Sequence, residues 1–173
     1  MLPVLKMSTA RWWYLLALII ITLDQLSKYW VQANFELYER LPLLSFLDFT
    51  LVYNEGAAWS FLSDAGGWQR WLFTAISLGV SVVLVVWMAR LQGNQHLLLI
   101  ALTFILGGAV GNLIDRVLLG KVVDFVLVYY RDWYFPAFNV ADAAISLGAA
   151  FMLLDMFINR GDVDNHAQEK TAS

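Results

Sequence analysis

Over most of this chain apolar residues neither alternate with polar ones nor keep to one helical face; they run on. Four such runs, at about residues 12–31, 71–88, 96–114 and 139–158, are each near the roughly 20 helical residues needed to cross about 30 Å of hydrocarbon. Aromatic residues bracket them where Trp and Tyr settle between hydrocarbon and water. Trp12, Trp13 and Tyr14 open the first run, and Tyr29 and Trp30 close it. Trp68 and Trp71 open the second, Trp87 closes it, and Trp133 and Tyr134 precede the fourth. The pattern predicts four membrane-crossing helices. Lys6 and Arg11 before the apolar stretch to Leu23 also fit the start of a secretory signal peptide, but no small-x-small cleavage site follows.

Between the runs the period changes. After Pro42 the segment S-F-L-D-F-T-L-V-Y alternates in part, with Phe49, Leu51 and Tyr53 on one face. N-E-G (54–56) reads as a turn, and A-A-W-S-F-L (57–62) as a second short strand. V-V-D-F-V-L-V-Y (122–129) is β-branched and aromatic and predicts another strand, carrying Asp124. The expected fold is therefore membrane all-α with a small β element: four transmembrane helices and a small sheet on their outer ends. Residues 32–40 are a candidate interfacial helix. The chain reads as one domain without repeats, ending in a polar tail over 161–173 expected to be mobile.

An even number of spans puts both termini on one side. Lys6, Arg11, Arg90, Arg160 and Lys170 then share that side; Lys28, Arg40, Arg70, Arg116, Lys121 and Arg131 fall on the other. The counts balance, but the second set lies on two long loops, and long loops weigh little in the positive-inside rule. Density therefore favours both termini in the cytoplasm, with Asp124 and Asp142 at the outer face.

Composition agrees with the runs. Of 173 residues 60% are hydrophobic and 14% charged, with a mean hydropathy of +0.63; soluble domains sit near about 45–50% and about 25%. A net charge of −3 with no basic run argues against a nucleic-acid partner. The absence of Cys removes thiolate metal sites and a cysteine nucleophile. His96 and His166, with no H-E-x-x-H, give a zinc protease no support. No metal and no cofactor is expected.

Two acids carry the candidate chemistry. Asp124 stands between two valines and F-V-L-V, where a carboxylate should be neutral or partnered; its plain alternative is a strand-end acid bonding a loop amide. Asp142, in F-N-V-A-D, opens the fourth run, where the plain alternative is a helix N-cap. Asn139 one turn earlier, and the small Ala141, Ala143 and Ala144, favour a site with room for a substrate backbone. Two acids at one membrane edge suggest a shared-proton pair that activates water, the chemistry of an aspartic protease. Gly107 and Gly111 have the spacing that lets helices approach closely. Gly108, Asn112 and Arg116 form a stripe toward the same edge. Asp115 beside Arg116 reads as a structural ion pair or carbonyl clamp, since a nearby Arg unsuits it as a general acid. Asp24 and Lys28 are four apart, a helical ion pair supporting the fold. Asn54 is by default a turn residue, Glu55 a solvated one, and Asp155 inert at the inner edge.

L-D-Q-L-S-K (23–28), Y-N-E-G-A-A-W-S (53–60), G-G-A-V-G-N-L-I-D-R (107–116), V-V-D-F (122–125) and F-N-V-A-D (138–142) occur in this order. Together they resemble the bacterial lipoprotein signal peptidases (signal peptidase II), over nearly the whole chain. The resemblance implies a four-helix inner-membrane aspartic protease with Asp124 and Asp142 catalytic. Asn54, Gly108, Asn112, Arg116, Asn139 and Ala141 would shape the site, with Asp24, Lys28 and Asp115 as structural support. It implies a prolipoprotein substrate cut just before a diacylglyceryl-modified Cys, membrane lipid as surroundings, and a monomer. Trp59 stands where many members have Phe. A proton-coupled transporter lacks acids to step along in the second and third runs before Asp115. A non-catalytic scaffold would use the aspartates as caps, and a presenilin-like protease would need a G-x-G-D motif that is absent.

Overall fold

The structure, a computed structural model, describes residues 7–56, 67–91 and 95–171, with side chains over 11–56, 67–91 and 95–158. Four helices, α1 (Met7–Asn34), α2 (Trp68–Arg90), α3 (His96–Leu118) and α4 (Val140–Thr171), contain stretches long and apolar enough to cross a membrane. These stretches are Arg11–Asn34, Trp68–Arg90, His96–Leu118 and Val140–Ile158. Over its apolar window α3 is 56% buried, against 17–28% for the others, so α3 is the central helix and the rest present most of their surface outward. Exposed Leu, Val, Ile and Phe on α1, α2 and α4 suit hydrocarbon.

Lipid tails are as apolar as Leu, so these helices associate through close packing rather than apolar burial. A Cβ on Gly107 would stand 2.8 Å from Ile20 of α1, and one on Gly111 2.6 Å from Asp24 Oδ2. On its other face, α3 meets α4 at Gly108, where a Cβ would strike the Ala141 carbonyl, and at Gly148, where it would lie 2.7 Å from the Ala101 oxygen. The expected small-residue seam is thus present and lies against α1, and a second seam leads to α4. An apolar cluster of Ala17, Leu84, Met88, Leu99, Leu102 and Leu106 fills the space among α1, α2 and α3.

Strands β1 (Arg40–Leu44) and β2 (Leu47–Asn54) lie between α1 and α2; β3 (Val122–Tyr130) and β4 (Trp133–Tyr134) lie between α3 and α4. They form one antiparallel sheet in the order β1-β2-β3-β4. It lies where α1 and α3 end and α2 and α4 begin. Leu51, flanked by Phe49 and Tyr53, packs with Val31, Val123 and Phe125, so the predicted apolar face of β2 seals the sheet onto α1.

One expectation meets a different outcome. No separate helix forms over 32–40: α1 continues to Asn34, Tyr38 turns the chain with φ 65°, and β1 starts at Arg40. Over the polar stretch from 161 the backbone carries α4 on to Thr171, with no proline to break it. The strand expected over 57–62, with Trp59, lies outside the described residues.

Gly148→Val is expected to destabilise the protein by about 1–3 kcal/mol through overpacking, read as a lower melting temperature in detergent. Gly79→Ala, whose added methyl meets nothing within 4 Å, should match the parent. Equal melting of all three proteins would contradict the close α3–α4 seam.

Candidate active site

Alternation along β3 sends Val123 and Phe125 into the apolar cluster, which leaves Val122 and Asp124 on the opposite face. Asn54 pairs with Val122 across the sheet, so Asp124 is its diagonal neighbour on that face. Asn54 Nδ2 donates to Asp124 Oδ2 at 3.1 Å, while Asn54 Oδ1 accepts the Gly56 N–H at 3.0 Å. Its local sequence reads as a turn and the family resemblance gives it a place in the site; it closes the turn and holds an acid at once.

Asp142 arrives from the start of α4. The Phe138 carbonyl accepts the Phe125 and Val126 N–H groups, and the Phe138 N–H returns to the Val126 carbonyl, clipping the α4 entry to β3. Asn139 is the N-cap: its carbonyl accepts the first helical bond from Ala143 N, and its Oδ1 accepts the Asp142 N–H at 2.9 Å. Asp142 Oδ2 accepts the Asn139 N–H in return at 3.3 Å. This is a capping box, so Asp142 is its third-position acid, not the N-cap. Asn139 Nδ2 also donates to Asp124 Oδ1 at 2.7 Å, which makes one fully buried asparagine the link between the acids.

Asn112 of α3 supplies the remaining contact, Nδ2 donating to Asp142 Oδ1 at 2.7 Å. Its Oδ1 accepts from Lys28 Nζ at 2.9 Å and from Asn139 Nδ2 at 3.2 Å. Each asparagine therefore points its amide nitrogen at an acid because its oxygen faces a group that only donates: Lys28 for Asn112, a backbone N–H for Asn54 and Asn139.

Beneath the pair lies a charged layer. Lys28 Nζ is 2.8 Å from Asp24 Oδ2 and 3.0 Å from Asp115 Oδ2, all three groups being buried. Asp115 also accepts from Val123 N at 3.0 Å and Gln25 Nε2 at 2.9 Å, and Asp24 Oδ1 accepts the Ala141 N–H at 2.8 Å. The expected helical ion pair is present, and Asp115 pairs with its Lys28 rather than with the adjacent Arg116. Arg116 makes long bonds to the Asn112 and Gly56 carbonyls and stacks over Phe73.

A cavity of about 470 Å³ opens beside the acids, bounded by Asn54, Asn112, Arg116, Val122, Phe138 and Asp142, with Ala143 and Ser146 on the α4 wall. Of the expected site residues, Asn54, Asn112, Arg116 and Asp142 line it, while Asp124 and Asn139 lie behind them, bonded to Asn54 and Asn112 respectively. Gly108 and Ala141 do not line the cavity; both are buried in the α3–α4 seam, and of Ala141, Ala143 and Ala144 it is Ala143 that faces the open space. Glu55 is exposed. Gln25 and Arg70 went unread in the sequence: Gln25 joins Asp24, Asp115 and the Gly111 carbonyl, and Arg70 donates to the Arg116 and Val117 carbonyls at the end of α3. Nothing in their local sequence marks them. Among the described residues, no three or more His, Cys, Asp or Glu side chains group to hold a metal ion.

Burial, then the neighbouring Asp142 charge, pushes the Asp124 carboxyl up to about 7; bonds from Asn54 and Asn139, and the Lys28 charge, oppose the rise.

Four apolar helices under a small sheet, with two buried acids at their junction, define a multi-pass membrane protein with an acid-pair site. The family model Peptidase_A8, signal peptidase (SPase) II, matches residues 16–158. The lipoprotein signal peptidase of Cellvibrio japonicus is 56% identical over 147 residues, 85% of this chain and 86% of its own. That of Pseudoalteromonas atlantica is 48% identical over 164 residues, 95% and 99% of the two chains. A bacterial membrane enzyme solved by the in meso method at 2.3 Å superposes with a TM-score of 0.78 at 28% identity, covering 87% of this chain and 90% of that one. The chain belongs to the signal peptidase II family and is a membrane peptidase.

The raised Asp124 value carries a stability consequence. Its contribution is fully present below the unfolded value near 3.8 and is lost as pH rises through about 7. Relative to Asp124→Asn, the wild type should lose about 2–4 kcal/mol between pH 4 and pH 8, seen as a steeper fall in melting temperature. Parallel melting curves across that range would contradict the raised value.

Proposed function

We propose that the protein is an aspartic endopeptidase that removes the signal peptide from prolipoproteins, cutting just before a Cys that already carries diacylglycerol. The observation that carries this is that Asp142 lines the cavity while Asn54, which also lines it, and Asn139, the cap beside Asp142, hold Asp124 next to it, each acid accepting two N–H bonds, in a chain of the signal peptidase II family. The name shared by its relatives, lipoprotein signal peptidase, supports the substrate class.

The two acids have unlike surroundings, and their roles follow. Asp142 lies in the first turn of α4, where backbone N–H groups and the helix dipole favour negative charge. It is the base. Asp124 sits on a strand facing away from the apolar cluster, with a value near 7, and holds the proton. Water loses a proton to Asp142 and its oxygen adds to the scissile carbonyl carbon. Asp124 gives its proton to the carbonyl oxygen, forming a gem-diol. Asp142 then passes its proton to the leaving nitrogen while a gem-diol hydroxyl returns one to Asp124. The C–N bond breaks, yielding a carboxyl on the signal peptide and an amine on the lipidated Cys. The pair titrates jointly. Asn54, Asn112 and Asn139 hold the acids, and Arg116 at the cavity wall faces the peptide or a lipid phosphate.

The enzyme resides in the inner (cytoplasmic) membrane with both termini in the cytoplasm, so that the sheet and acids lie at the extracytoplasmic face, where a signal helix ends. A monomer suffices, since one chain supplies both acids. Membrane lipid surrounds it, and no nucleic acid takes part.

Detergent-purified Asp124→Asn and Asp142→Asn proteins should each process a diacylglyceryl-modified prolipoprotein about 10²–10⁴-fold more slowly than wild type, or not at all. Wild-type cleavage should decline on the alkaline side as Asp124 loses its proton through about pH 7. Near-normal turnover by either folded variant, in a gel-shift assay, would overturn the pair.

A further inference from the structure

Lys28 is 1% exposed, yet its ammonium sits among acceptors from two helices: Asp24 Oδ2 at 2.8 Å, Asn112 Oδ1 at 2.9 Å and Asp115 Oδ2 at 3.0 Å. An ammonium has three N–H donors and no acceptor, so all three are engaged. A buried ion cluster is weak support for stability, because desolvation offsets much of the attraction. Here two carboxylates face one lysine, which leaves the cluster with an excess negative charge. Fold support accounts for Asp24, which ties α1 to the α4 entry through Ala141 N, and for Asp115, which ties α3 to β3 through Val123 N. It does not account for the third Lys28 bond, to an amide whose other end is on Asp142.

With its donor-only neighbour on Oδ1, Asn112 cannot flip without placing an NH₂ against an ammonium. Its nitrogen is therefore held on Asp142 Oδ1, 2.7 Å away. We propose that Lys28 is a positioning residue for the acid pair: through Asn112 it fixes the Asp142 carboxylate, and its buried charge stabilises the anionic pair. The inference rests on Asp124 and Asp142 being the catalytic acids. The charged groups around the pair are Lys28 and Asp24 on α1, Asp115 and Arg116 on α3, and the two acids on β3 and α4. From α2, Arg70 reaches only the Arg116 and Val117 carbonyls. Lys28 is the cation among the forces that hold the Asp124 value down.

Lys28→Met alone would strand two buried carboxylates, so the test variant is Lys28→Met with Asp115→Asn. If that protein does not purify as a monodisperse species, Asp24→Asn is added, which leaves no buried charge in the cluster. Cleavage of a diacylglyceryl-modified prolipoprotein is followed against pH, with folding checked by melting. The folded variant should keep KM within about two-fold and lose about 10–10²-fold in kcat, as expected for a displaced catalytic group. Against the matching protein that keeps Lys28 (Asp115→Asn, or Asp24→Asn with Asp115→Asn), its alkaline limb should move upward by about half a pH unit or more, as Asp124 keeps its proton longer without the cation. Lys28→Arg, which retains charge and donors, should keep the wild-type limb. A purely structural lysine would lower melting temperature while leaving kcat and the limb of the folded protein unchanged, and that result overturns the proposal. Loss of activity in both aspartate variants alongside a normal Lys28 variant would sink this inference alone; activity in the aspartate variants would sink the acid-pair reading beneath it.

Discussion

An ionised group inside a bilayer has no water to bond, and the head of this bundle answers that constraint with a full set of N–H donors. Lys28 meets Asp24 and Asp115, Val123 N meets Asp115, and Ala141 N meets Asp24. Above them, the amides of Asn54, Asn112 and Asn139 meet Asp124 and Asp142. Leaving a buried polar group without a partner costs about 1–3 kcal/mol, more for a charge. The acids are tolerable at this depth because each element brought to the junction delivers a donor.

That network requires short distances between backbones, which explains the glycines of α3. Gly111 lets Asp24 lie against the helix, and Gly108 admits the Ala141 carbonyl, which brings the capping box of α4 within reach of Asn112. Neither glycine touches the cavity. Their contribution to the site is distance: a larger residue at either place would push α1 or α4 outward and pull donors off the acids.

Much of this was legible because membranes impose coarse rules. Runs of apolar residues near 20 long, bracketed by Trp and Tyr, have few readings, and an aspartate between V-V and F-V-L-V demands a partner. Identities of partners were less legible. Asp24 and Lys28 were readable as neighbours four apart, but Lys28 also reaches Asp115 and Asn112, 87 and 84 positions along the chain; sequence periodicity carries no information at that range. The adjacent Asp115 and Arg116 suggested a pair, yet successive helical residues point about 100° apart, and they face different surroundings. Asn139 and Asp142 were readable as sharing a face, but the capping box went unread because the N-cap preference of Asp suggested a simpler role. Gly108 and Ala141 fell within the right motifs, but a motif marks a neighbourhood and does not separate a residue that faces the cavity from one that brings helices together.

Two chemically identical side chains end in unlike positions, and the fold is what separates them. Asp142 belongs to a helix terminus whose N–H groups and dipole favour the anion. Asp124 belongs to a strand, offered only side-chain amides, and burial first, then the neighbouring Asp142 charge, raise it. A symmetric pair would have to choose which acid keeps the proton each time water enters. In the proposed reaction, an acid on a strand beside an acid on a helix N-terminus has that choice built in before substrate arrives, so the environments of β3 and α4, rather than any difference in residue type, would divide the labour of acid and base.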